Sequence, residues 1–190
     1  MPSIRAFIAV EIDHQAKQKI SELILQLKKS NADVKWVTED QMHFTLKFLG
    51  NIDKDKVRGI SDSISSVSDN FNSFKIAFSR IGAFPSLNHP AVIWLGIDKG
   101  AESLKMLNEK IEAALEKSGF ERESREFKPH LTLGRVRSDK NMLGLTKLLK
   151  ETAFCLRNDV QINKLTLFQS NLSPKGATYS ILLQKYLQNI

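Results

Sequence analysis

The apolar positions of the chain switch repeatedly between a period of two and a period near 3.6, the marks of strand and helix. Arg5 to Asp13 alternates as a strand, and Ala16, Ile20, Leu23, Ile24 and Leu27 then mark one face of a helix. A short extended piece at Val34 to Val37 precedes a strand from His43 to Phe48 that ends at Gly50. Asp53 is placed to cap a second helix that turns Val57, Ile60, Ile64 and Val67 inward. Phe74 to Ile81 reads as one strand, and Ala83 to Pro90 as a turn.

The order then repeats. Val92 to Ile97 is a strand, and Leu104, Leu107, Ile111, Ala114 and Leu115 form a helical stripe that stops near Gly119. His130 to Val136 is a strand that starts after Pro129, where a missing N–H is tolerated. A shorter helix around Met142 to Lys150 and strands at Val160 to Gln169 and Thr178 to Gln184 complete the chain. Ile8 precedes His43 by 35 residues, and Trp94 precedes His130 by 36. This spacing predicts a structural duplication. Each half reads strand, helix, His-x-Thr strand, helix, strand. The expected architecture is α+β and bilobal. Two lobes of antiparallel sheet with outer helices are related by a pseudo-twofold axis, around a cleft lined by the two His-x-Thr strands. Residues 1–190 are expected to form a single domain.

His43-Phe44-Thr45-Leu46 and His130-Leu131-Thr132-Leu133 carry the candidate chemistry. On a strand, His and Thr at i and i+2 share one face while the apolar residues pack on the other. Two imidazoles can hold one proton between them near neutral pH, and two hydroxyls can bind phosphate oxygens. That set suits acid–base chemistry on a phosphodiester. Each motif alone is short enough to arise by accident. With four His and seven Thr in the chain, two copies with matched apolar flanks are a stronger signal. His14 and His89 lack the pattern and receive no catalytic role. Parity places Lys47 on the His43 face, as an anion contact or equally a solvated lysine, and points Arg135 away from His130 unless the strand bulges near Gly134. Phe48 and Phe84, near turns, could stack on a base or pack in a core.

The remaining features narrow the setting. No apolar run approaches a membrane span, and the apolar stretch Ala6 to Val10 is too short for a signal segment. A cytoplasmic protein without a membrane partner is expected, and a monomer. Cys155 is the only cysteine, so no disulfide can form within the chain. The net charge of +7 fits a polyanionic partner such as RNA or a solubilising surface equally well. Two histidines far apart in sequence, with no carboxylate or cysteine at ligand spacing, do not make a recognisable metal set.

HFTLKFLG at 43–50 and FKPHLTLGR at 127–135 resemble the signatures of the two-histidine phosphoesterase superfamily, in its RNA 2′,3′-cyclic phosphodiesterase or 2′-5′ RNA ligase-like branch. RAFIAVEI, IGAFPS, VIWLGI and GATYSILLQKY fall where that family has similar segments. The resemblance implies hydrolysis of a terminal 2′,3′-cyclic phosphate on RNA or a nucleotide to a 2′-phosphate, with reversible 2′-5′ ligation also in the branch. It implies His43 as general acid and His130 as general base, Thr45, Thr132 and Arg135 as phosphate contacts, and Phe48 against the nucleobase. The scheme needs no metal and no cofactor. A non-catalytic RNA-end or nucleotide-binding module, or a phosphodiesterase for another small cyclic phosphate, are the alternatives. Lys47 stands where many relatives have arginine, and the turn from Leu87 to Ala91 lacks the arginines common there.

Overall fold

The structure is a computed structural model that describes residues 3–154, 156, 159–174 and 176–189; Cys155 lies outside the described residues. The first half runs β1 (Ser3–Glu11), α1 (His14–Lys28), β2 (Val34–Trp36), a 3-10 turn (Glu39–Gln41), β3 (His43–Asp53), α2 (Lys56–Ser68), β4 (Phe74–Ile76) and β5 (Phe78–Pro85). The second runs β6 (Pro90–Ile97), α3 (Ala101–Glu116), β7 (His130–Val136), α4 (Met142–Glu151), β8 (Val160–Ile162), β9 (Lys164–Ser173) and β10 (Gly176–Tyr186). One four-stranded sheet has the order β10-β9-β1-β3 and the other β2-β7-β6-β5, both antiparallel. Helices α2 and α3 lie on the first sheet, while α4 packs on β5 of the second and against α1.

The α+β, two-sheet architecture is the expected one, but the lobes are not the two halves of the chain. The series β9-β1-β3 in the first sheet corresponds to β5-β6-β7 in the second. Each half therefore gives its third strand to the other half's sheet. The two lead-in strands, β4 and β8, pair with each other as a separate two-stranded ribbon. This exchange explains why Phe74 to Ile81 and Val160 to Gln169 do not form single strands. Each segment breaks, at Ala77 and at Asn163, where the chain passes from the small β4–β8 ribbon to its sheet.

Two boundaries also differ from the sequence reading. β3 continues through Gly50 to Asp53, because β1 pairs with it as far as Ser3 opposite Asp53. Asp53 is consequently a strand residue. Asp55 holds the N-cap position of α2 and makes no side-chain cap bond. Ala83 to Pro85 belong to β5, which pairs with β6, so only Ser86 to His89 turn. Helix α1 begins as its pattern requires: Asp13 Oδ1 accepts a hydrogen bond from the Ala16 N–H at 2.8 Å, a cap worth about 1 kcal/mol. Its Ala16, Ile20, Leu23, Ile24 and Leu27 are all buried. One apolar core runs from these residues through Ile8, Val10 and Phe44 to Leu131, Leu133 and Leu167.

Candidate active site

The two motif strands carry the same backbone irregularity. In β3, Thr45 faces Ala9 and Lys47 faces Ile8, so Leu46 is an extra residue with no partner on β1. In β7, Thr132 faces Trp94 and Gly134 faces Ile93, so Leu133 is the extra residue. A one-residue bulge inverts the alternation beyond it. Lys47 and Gly134 therefore turn inward, and Phe48 and Arg135 emerge on the face of the histidines and threonines. This corrects the parity reading of both Lys47 and Arg135. The working pattern is His-x-Thr-x-x-Phe in one lobe and His-x-Thr-x-x-Arg in the other.

Each bulge is held by a group distant in sequence. The Leu46 carbonyl accepts from Asn108 Nδ2 on α3 at 2.8 Å. The Leu133 carbonyl accepts from the Val37 N–H, just past β2, at 2.9 Å. The inward residues differ because their surroundings do. Lys47 is buried and donates to Glu112 Oε2 on α3 at 2.6 Å and to the Glu121 carbonyl at 2.8 Å. Glu112 Oε2 also lies 3.3 Å from the Glu123 N–H, which ties the loop after α3 to the same spot. At Gly134 a Cβ would stand 2.7 Å from Val34 Cγ1 and 2.9 Å from Trp36 Cε3, so β2 leaves no room for a side chain.

Strands β3 and β7 come together across a cleft of about 1240 Å³. The cleft walls include His43, Thr45, Phe48, His130, Thr132 and Arg135, all six of the candidate residues. Phe48 is 69% exposed into this space. Phe84 is half-buried, lines the cleft and meets His130 edge-on at 5.2 Å. Neither His14 nor His89 lies on its wall.

The two histidines sit in different surroundings. His43 stacks on Phe7 at 4.9 Å and meets the edge of Tyr179 at 5.3 Å, with Phe168 at 5.9 Å. Burial, and secondarily the Lys17 ammonium, lower its pKa to about 4. Its cross-strand neighbour Glu11 is engaged elsewhere, accepting from Gln184 Nε2 at 2.9 Å and Thr166 Oγ1 at 3.2 Å. His130 Nδ1 lies 2.7 Å from the Lys128 carbonyl, which can only accept, so Nδ1 carries the proton and Nε2 is left for the cleft.

Residues that the sequence reading did not single out complete the walls: Arg5 and Phe7 on β1, Lys35 on β2 and Tyr179 on β10. Burial raises the Tyr179 pKa, opposed by the charges of Arg135 and Arg5. Alternation along β1 puts Arg5, Phe7 and Ala9 on one face, a signal that could have found Arg5. Nothing local marks Lys35 or Tyr179. Among the described residues no group of three or more His, Cys, Asp or Glu side chains is arranged to hold a metal ion, and no helix is long and apolar enough to cross a membrane.

Residues 10–94 and residues 95–179 each match the family described as LigT like Phosphoesterase. An RNA 2′,3′-cyclic phosphodiesterase of Methanothermobacter thermautotrophicus is 32% identical over 177 residues, covering 93% of this chain and 95% of that one. One from Archaeoglobus fulgidus is 33% identical over 180 residues, covering 94% and 98%. The crystal structure of E. coli LigT complexed with 3′-AMP shares the fold at a TM-score of 0.77 and 21% identity, covering 98% of this chain and 99% of that one. A Thermus thermophilus protein does so at 0.81 and 21%, with the same coverage. The twofold match follows the duplication seen in the strands, and the chain belongs to the LigT-like phosphoesterase family.

Proposed function

We propose that the chain hydrolyses 2′,3′-cyclic phosphates at RNA ends, leaving a 2′-phosphate, by acid–base catalysis with two histidines and no metal. We further propose that the 190 residues work as one two-lobed domain. The observation that carries this reading is the pair of bulged His-x-Thr strands meeting in one cleft. Simple binding of a phosphate needs neither histidine. The names of the relatives, RNA 2′,3′-cyclic phosphodiesterases, agree with it.

In the proposed reaction, His130 Nε2 takes a proton from water, and the water oxygen attacks phosphorus. The bond from phosphorus to the ribose 3′-oxygen breaks, and His43 gives that oxygen a proton. Each transfer is worth about 10²–10⁴ in rate. The Lys128 carbonyl supports the basic role by fixing the Nδ1–H tautomer of His130. His43 must be charged to act as the acid, and its surroundings alone hold it neutral at pH 7. The negative charge of a cyclic phosphate beside the ring raises its pKa, so the acid forms only with substrate in place. Thr45, Thr132 and Arg135 bind the non-bridging oxygens, where charge builds in the transition state. Phe48 offers its exposed ring to the terminal base.

Digestion of a short RNA ending in a 2′,3′-cyclic phosphate, in buffer containing EDTA, tests the reading when the products are separated beside 2′- and 3′-phosphate standards. The expected product is the 2′-phosphate. A 3′-phosphate would reverse the orientation of the ribose between the histidines. No turnover with EDTA, restored by a divalent cation, would overturn the metal-free scheme.

A further inference from the structure

A second group of cations stands beyond the histidines. Cross-strand register defines corresponding rows in the two lobes. In the first sheet the row is Phe168, Phe7 and Phe48; in the second it is Phe84, Val92, Arg135 and Lys35. Lys35 and Arg135 are thus directly opposed on neighbouring strands, and both are exposed. Like charges in that position repel one another. Arg5 follows Phe7 on the same face of β1, about 7 Å further along, one more step away from Thr45.

These three cations are uncompensated, whereas their neighbours in the cleft are not. Lys47 pairs with Glu112, Arg122 with Glu116, Arg125 with Glu123 and Lys128 with Glu126. Among the described residues no carboxylate lies within 4.0 Å of Arg5, Lys35 or Arg135. They also come from both lobes. Arg5 from the first sheet and Lys35 and Arg135 from the second line the same cleft, together with Tyr179. The Lys35 ammonium reaches across to β10, where a Cβ on Gly176 would stand 2.9 Å from Nζ. Gln41 Nε2 holds β10 there by donating to the Ala177 carbonyl at 2.7 Å.

We infer that Arg5 and Lys35, flanking Arg135, form a second anion subsite for the phosphate on the 5′-oxygen of the terminal nucleoside. This rests on the proposed hydrolase reading and deepens it: the chain distinguishes an end that carries a 5′-linked phosphate from a bare nucleoside cyclic phosphate. The arrangement has the right order for such a strand. The reacting phosphate lies at the threonines, the terminal base at Phe48 and the preceding phosphate at the cations one step beyond. A guanidinium and an ammonium together suit a phosphate oxygen pair, and leaving both without carboxylates keeps them free for it.

The test compares three substrates: a nucleoside 2′,3′-cyclic phosphate, the same compound with a 5′-phosphate, and a dinucleotide ending in the same cyclic phosphate. Each is assayed with wild type and with the Arg5→Ala/Lys35→Ala double variant, whose changes lie at exposed positions. With wild type, the dinucleotide and the 5′-phosphorylated compound should exceed the bare nucleoside in kcat/KM by about tenfold, mainly through KM, an effect of one charge-assisted hydrogen bond. The double variant should lose that gain and change the bare nucleoside by less than about twofold. The gain should also shrink as salt rises. Equal kcat/KM for all three substrates, or a gain that survives in the variant, would overturn the subsite. Failure of wild type on every substrate would instead overturn the hydrolase reading.

Discussion

The two lobes use one backbone device for two different surfaces. Both motif strands bulge at the residue after threonine, and both bulges bring a residue three positions beyond that threonine into the cleft. In the first lobe that residue is Phe48, at the end of an aromatic row with Phe7 and Phe168. In the second it is Arg135, beside Lys35. The histidines diverge in the same sense. His43 is enclosed by aromatic rings and depressed in pKa, while His130 is held by a carbonyl. Duplication supplies geometry, and the neighbours packed behind and beside each strand decide what chemistry that geometry presents.

The comparison breaks most severely at the histidines. His43→Ala and His130→Ala should each lower turnover of a cyclic phosphate by at least about two orders of magnitude with the circular dichroism spectrum retained. The double variant should be little worse than the worse single. Full activity in either single variant would end the paired mechanism.

The inward residues behind the bulges are the next test. Glu112→Ala leaves the buried Lys47 ammonium without its counter-charge and should destabilise the fold by about 3–5 kcal/mol in denaturant unfolding. Gly134, the counterpart of Lys47 in the other lobe, fails for the opposite reason. Gly134→Ala puts a methyl against Val34 and Trp36 and should cost about 1–3 kcal/mol through overpacking. A harmless Gly134→Lys would show that the two lobes do not differ in this way.

Stability against pH probes the surroundings of His43. Its folded pKa is about 4 against an ordinary 6.5, so between those values the unfolded chain binds more protons than the folded one. Stability from this group is therefore undiminished above about pH 6.5 and falls as the pH drops toward 4, by up to about 3 kcal/mol. His43→Asn should flatten that part of the profile in urea melts at successive pH values. An unchanged slope would place the acid sensitivity elsewhere.

The smallest contrast lies at the two emergent residues. Arg135→Ala should lower kcat/KM by about tenfold or more, because the proposed charged donor to the phosphate is lost. Phe48→Ala should raise KM by about fivefold and act weakly on a substrate analogue without a base. If Phe48→Ala were equally damaging with and without a base, its ring would be a structural part of the wall.

Much of this was legible in the sequence. Helical and alternating periods placed α1, α3 and the two motif strands, because burial of one face imposes its period on the chain whatever the partner is. Spacing gave the duplication, and the repeated His-x-Thr gave the cleft's four central residues. Other features depend on contacts between segments far apart. Parity is a local rule that holds only until a strand bulges. Whether it bulges was decided by Asn108 and Val37, the donors that satisfy the Leu46 and Leu133 carbonyls. That is why Lys47, read as an anion contact or a solvated side chain, is buried against Glu112, and why Arg135 faces the cleft after all. The exchange of β5 and β9 between sheets, and the placing of Arg5 and Lys35 on the walls of one cleft, are likewise set by tertiary pairing. The amino-acid sequence by itself determined which residues line a strand or a helix face. Only the tertiary structure decided which strand lies beside which, since antiparallel pairing satisfies the same backbone groups with any partner of matching apolar face.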